Sequence, residues 1–306
     1  MKKPFALFLL SMSLVLFTGC GRTHAATTEE EKKESQTESV TNTTETESET
    51  VEEKEILCKE GTTLESRFRP PVGYDRTAEE EGSFAMFLRN YPMKPDGSKV
   101  LLYDKSEKLN QSAHAAVFAL PIEAYDLQQC ADSVMRMYAE YYWSTEQYEK
   151  IVFHFTNGFE ARYDSWREGY RFKVNGNEIS SVKSASYDDS YEGLVAYLRI
   201  VFCYSGSLSM ESEATPTSME ELKAGDVFLN GSSPGHVVMV VDTCVNRKGE
   251  KAFLLAQGYM PAQEFHVLKN PKHEDNPWYY ENELDYPLHT PEYTFEEGTL
   301  KSLIYY

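Results

Sequence analysis

The most constraining stretch of this sequence lies between residues 225 and 257, where three apolar runs alternate with turn chemistry. Gly225-Asp226-Val227-Phe228-Leu229 follows one turn, Asn230-Gly231-Ser232-Ser233-Pro234-Gly235 makes a second, and His236-Val237-Val238-Met239-Val240-Val241-Asp242 comes next. Asn246-Arg247-Lys248-Gly249 is a hairpin signal, and Ala252-Phe253-Leu254-Leu255-Ala256-Gln257 is the third run. Valine is stiff at χ1 and packs well on a pleated surface, while Gly, Asn and Pro supply the turn conformations. Links this short join antiparallel neighbours, because a parallel pair needs a long crossover. An antiparallel sheet is expected here.

Upstream, the pattern is helical. Leu127, Cys130, Ala131, Val134, Tyr138 and Tyr141 recur at helix spacing and form one apolar face. Asp126 three residues before Gln129 reads as a capping-box-like start, so the helix is expected to begin at Asp126. Ser83 is a candidate N-cap for a short helix at 83–88, and 194–204 reads as a second buried helix. Strands are expected at 99–103, 115–120 and 151–155, and a loop at 205–218. No internal repeat is visible. Helices first and a sheet later read as α+β, with residues 56–306 forming a single globular domain.

The first fifty-five residues differ in kind. Lys2 and Lys3 precede an apolar run, Phe5 to Leu10 and on through Leu16, that is short for a membrane span. It ends in Leu16-Phe17-Thr18-Gly19-Cys20, which resembles the bacterial lipobox. That resemblance implies a lipoprotein signal peptide over 1–20, lipidation at Cys20, export, and a membrane anchor on the extracytoplasmic face. Phe17 stands where the lipobox usually has Leu, and an ordinary secretory signal cut near Ala25-Ala26 is the other reading. Residues 21–55 are mostly Glu, Thr, Ser and Lys. They hold too little apolar surface to offset their ordering entropy, so an acidic, disordered linker is expected. Fully extended, it reaches roughly 120 Å.

The chain has 30 basic and 49 acidic residues and a net charge of -19, which argues against a nucleic-acid partner. Cys58, Cys130, Cys203 and Cys244 show no metal-ligand spacing, so no metal and no cofactor are expected. Disulfides among them and a working thiol both remain open.

A thiol hydrolase of the papain type needs a cysteine at a helix N-terminus, a histidine base, and a polar side chain that orients the histidine. Cys130, His236 and Gln257 occur in that order. The stretch from Gly225-Asp226-Val227-Phe228 through Gly235-His236-Val237-Val238 to Gln257 resembles the core of NlpC-type and CHAP-type cell-wall hydrolases. It implies a papain-like core, with the Cys130 helix packed on an antiparallel sheet, and a thiol-dependent amidase or peptidase acting on peptidoglycan or another envelope polymer. Gln129-Cys130-Ala131 departs from the usual surroundings of that cysteine, and the Cys130-to-His236 interval is longer than usual. Separately, Gln128-Gln129-Cys130-Ala131-Asp132, Phe155-Thr156-Asn157-Gly158-Phe159 and Gln257-Gly258-Tyr259-Met260-Pro261-Ala262-Gln263 resemble a bacterial family described as a domain of unknown function (4846).

Plainer readings stand beside these. Cys130 falls on the apolar stripe of its helix, where buried cysteine is common, and His236 can be a strand-edge histidine bonded to a carbonyl. A catalytically inactive papain-like module, or an unrelated α+β envelope-binding lipoprotein, is the alternative. Gln128 or Gln129 can donate to an oxyanion or act as caps. His114 is a rival base and His154 a packed residue. His266, His273 and His289 are expected at the surface, Asp226 in a turn, and the Tyr279-Tyr280 and Tyr305-Tyr306 pairs in packing.

Overall fold

The computed structural model describes residues 55–305 except Ser233. The expected signal segment with Cys20, and all of the 21–55 linker but its last residue, lie outside the described residues.

Three helices matter most for the site: α1 (Phe84–Asn90), α2 (Cys130–Ser144) and α3 (Tyr191–Tyr204). Nine strands form one antiparallel sheet: β1 (Tyr74–Arg76), β2 (His114–Val117), β3 (Ala214–Pro216), β4 (Val227–Asn230), β5 (His236–Asn246), β6 (Lys251–Gln257), β7 (His266–Leu268), β8 (Tyr279–Tyr280) and β9 (Leu300–Leu303). Their order is β2-β7-β6-β5-β4-β9-β3, with β1 also pairing β5 and β8 also pairing β6. The chain is thus α+β.

Side-chain alternation sorts the central strands onto two faces. Val237, Met239 and Val241 of β5, Ala252, Leu254 and Ala256 of β6, and Val227 and Leu229 of β4 join the cluster that holds the helices, Cys130 included. Val238, Val240, Phe253, Leu255 and Phe228 face a second cluster built with Leu288, Phe295 and Leu300. This explains why β5 reads as an unbroken apolar run: it is buried on both sides through Cys244. A residue such as Val238 or Met239, fully buried, contributes about 1.5–3 kcal/mol of transfer free energy.

Local chemistry sets several element ends. The Ser83 hydroxyl accepts from the Met86 amide, as its N-cap reading anticipates. Helix α2 starts later than expected. Gln129 is the N-cap, its amide donates to Asp132 Oδ2 at 3.0 Å, and Asp126 instead accepts from the Gln129 side chain and the Ala262 amide. Cys130 is therefore the first helical residue. Residues 99–103 form only isolated bridges, and the expected 115–120 strand is β2, which starts one residue earlier and ends three earlier. The loop expected at 205–218 contains the helix Ser207–Ser212 and strand β3. The sheet also draws strands from residues 74–76 and 114–117, so it is not confined to the C-terminal part. Cys58, Cys130, Cys203 and Cys244 are all free thiols.

Candidate active site

Helix α2 begins, strand β5 begins and strand β6 ends at one rim of the sheet. This places Cys130, His236 and Gln257 in the same region. Gly258 is required there: a Cβ on it would stand 2.7 Å from the Gln129 carbonyl and 2.3 Å from Ser133 Oγ, so the backbone after β6 touches the helix start. Across the rim, the backbone of Val237, the residue after His236, favours the Cys130 thiolate, and Tyr259 is coupled electrostatically to the same sulfur. The Tyr259 ring is also 4.8 Å from the His236 ring, centroid to centroid.

His236 and Gln257 are joined directly. Gln257 follows the Ala256–Met239 pair and His236 precedes Val237, so alternation turns both side chains to the second-cluster face, where His236 Nε2 lies 2.8 Å from Gln257 Oε1. Tyr293 and Phe295 flank the imidazole at 4.8 and 6.0 Å. Among the described residues the imidazole makes no hydrogen bond to Cys130. The reason is the alternation: His236 points with Val238 to one face, while the thiol approaches over the Val237 face.

Burial sets the protonation states. Cys130 is 7% exposed, and burial with the nearby Asp132 carboxyl pushes its thiol up to about 11. The neighbouring amides favour thiolate but do not outweigh these effects. His236 is 1% exposed; burial lowers its pKa to about 4, against the pull of Gln257, and Lys108 adds to the lowering. At neutral pH the pair is thiol and neutral imidazole, where the sequence pattern anticipates a thiolate. Asp132, also buried, is pushed up to about 8 by desolvation. Gln128 is wholly buried and, among the described residues, neither end of its amide is paired; Asp132 Oδ1 and Ser133 Oγ also lack partners there.

A second set of side chains, absent from the sequence expectation, surrounds Gln257. His266 was expected at the surface and is fully buried, because β7 inserts between β2 and β6 and turns it inward beside Gln257. The alternating Phe265-His266-Val267-Leu268 run is the signal that finds it. Glu292 and Lys108 join it from distant segments and form an ion pair. His289 is exposed and His273 half-buried against Glu283, 2.7 Å away. His114 donates through Nε2 to the Ser98 carbonyl at 3.0 Å, and His154 pairs with Glu213 at 2.6 Å. Neither of these belongs to the Cys130 rim. Asp226 is buried and ties its own turn to Lys223 and Ser302. Tyr279 stacks on Phe253, Tyr280 packs edge-on against Tyr74, and Tyr305 is buried.

Among the described residues, no group of three or more His, Cys, Asp and Glu side chains is placed to hold a metal. A cavity of about 640 Å³ lies beside β2 and includes His114, Lys99, Lys269 and Asp96 in its wall; Cys130 does not line it.

A family model described as Domain of unknown function (4846) matches residues 64–302. No curated protein matches the chain, and no solved structure does.

Proposed function

Since this chain belongs to the family described as Domain of unknown function (4846), whose description carries no activity, we propose its function from the site: an envelope lipoprotein, anchored through Cys20, whose domain is a thiol-dependent hydrolase of amide bonds. The substrate class is peptidoglycan stem peptides or a similar envelope polymer. One observation carries the reading: Cys130 is the first residue of its helix and lies against the backbone following His236, whose Nε2 is held by Gln257 at 2.8 Å. This leaves Nδ1 as the free basic nitrogen of the imidazole.

In this mechanism the sulfur attacks the carbonyl carbon as its proton passes to His236 Nδ1. That proton then goes to the departing amine nitrogen as the C–N bond breaks. Water cleaves the thioester, releases the acid and restores the thiol. Because the thiol sits near 11 and the imidazole near 4, proton transfer accompanies attack, as with a serine nucleophile. Asp132, near 8, is largely uncharged at neutral pH and so adds little repulsion to the developing thiolate.

A second reading has its own support. A buried, protonated thiol without a hydrogen bond to the imidazole also fits a catalytically silent module that binds an envelope polymer. A chain beginning at Glu52, the start of the compact unit, compared with its Cys130→Ala form on purified peptidoglycan, separates the two. Fragment release by the first alone supports the enzyme. Equal release by both excludes Cys130 as nucleophile, and binding by both without release establishes the silent module. For the anchor, labelled palmitate is expected on the full chain and absent from Cys20→Ala; equal labelling of both removes it.

A further inference from the structure

Gln257 makes more contacts than holding His236 alone requires. A primary amide has an acceptor oxygen and two donor protons, and the neighbours decide which end points where. His266 supplies the first constraint. Its Nδ1 is 2.8 Å from the Glu264 carbonyl oxygen, which only accepts, so Nδ1 carries the proton and Nε2 is a lone pair. Gln257 Nε2 lies 3.5 Å from that lone pair and 2.8 Å from Glu292 Oε2. Both are acceptors, so the amide nitrogen must face them and the amide oxygen must face His236. A carbonyl oxygen cannot donate. His236 therefore carries its proton on Nε2, and Nδ1 stays unprotonated.

Glu292 is the stronger of the two constraints, since a charged acceptor at 2.8 Å outweighs a neutral one at 3.5 Å. It is fixed in turn: Lys108 is paired with Oε2, and Asn110 Nδ2 donates to Oε1 at 3.2 Å. Lys108 also lies 3.4 Å from His266 Nε2, so the ammonium, the carboxylate, the amide and both imidazoles form one continuous network.

We propose that Glu292, held by Lys108 and Asn110 and assisted by His266, is a positioning residue that fixes the Gln257 amide and, through it, the Nε2–H tautomer of His236. The tautomer stands without the hydrolase reading; its catalytic value, an unprotonated Nδ1 able to take a proton, rests on it. Without Glu292 the amide is free to turn over and present its NH2 to His236. The imidazole then accepts at Nε2 and carries its proton on Nδ1, where it cannot serve as a base.

The test is a long-range proton–nitrogen correlation spectrum of the full chain labelled with ¹⁵N-histidine at neutral pH. The unaltered chain is expected to show His236 only as Nε2–H; a Nδ1–H spectrum overturns the proposal without any variant. Glu292→Asp keeps a charge for Lys108 but withdraws the carboxylate from Gln257. It is expected to give a second, Nδ1–H set of His236 signals, with His114 unchanged as the internal reference. The paired variant Lys108→Met with Glu292→Leu removes both charges together, so that neither is buried alone, and is expected to do the same. A folded chain of either variant with His236 still purely Nε2–H refutes the role of Glu292. No substrate enters the measurement, so a pure Nε2–H spectrum together with no Cys130-dependent hydrolysis would fail the enzyme reading and leave this inference standing.

Discussion

Strand β5 carries a buried polar group near each of its two ends, and the surroundings treat them differently. Asp242, fully buried, accepts from Arg76 Nε and Arg89 Nε at 2.8 Å each and from the Thr243 amide at 2.9 Å. The arginines' Nη2 groups donate to backbone carbonyls: Arg76 to Glu65 and Phe68, Arg89 to Thr243. At the other end, among the described residues, the His236 imidazole has one hydrogen bond, and the adjoining helix start holds an unpaired Gln128 amide and an unpaired Ser133 hydroxyl. A saturated network pins β1 and α1 to the sheet. An end with spare donors and acceptors has capacity left for something that is not part of the fold, which is why buried unpaired groups call for an explanation.

The contrast can be broken first at the saturated end. Asp242→Ala leaves two arginines unpaired in a buried site, so a loss of about 3–5 kcal/mol is expected in urea denaturation. A loss below about 1 kcal/mol would mean that this end is no more structural than the other.

Acid should weaken the His236 end. Its folded pKa, near 4, lies below the ordinary histidine value of 6.5, so the folded state binds fewer protons between those limits. Stability is therefore full above about 6.5 and falls as pH drops through 4, by at most ~3 kcal/mol from this group. Fully buried His266, also shifted down, adds to the same loss. His236→Phe is expected to flatten part of the slope in denaturation series run between these pH values; an unchanged slope would reassign the effect to His266.

Gln257→Leu has a smaller expected cost, about 1–2 kcal/mol, because it strands the His236 Nε2–H and removes one of the two donors to Glu292 Oε2. Thermal melts check this. Cys130→Ala comes last, with a loss of roughly 1 kcal/mol or less for removing one small buried group, while abolishing the proposed hydrolysis. A large activity loss paired with a small stability loss at Cys130, and the reverse at Asp242, is the pattern that separates a working end from a structural one.

Much of the central sheet was legible in advance. The three apolar runs and their turns became β4, β5 and β6 in the expected antiparallel order, and the shared rim of Cys130, His236 and Gln257 follows from a helix start, a strand start and a strand end. The misplaced features share a cause. Asp126 looked like a cap because its spacing to Gln129 was right, but the Ala262 amide, far along the chain, took its carboxylate. His266 looked exposed because polar residues follow it, yet β2 covers the far side of its strand.

The sequence by itself determined the period of each run, its turns and the order of Cys130, His236 and Gln257, because these depend on neighbours only a few residues apart. The tertiary structure alone decided that Glu292, Lys108 and His266 converge on Gln257, that Arg76 and Arg89 meet Asp242, and that the Cys130 thiol is held near 11. Those outcomes depend on desolvation and pairing between distant segments, and no local window records which face of a strand its partners will cover.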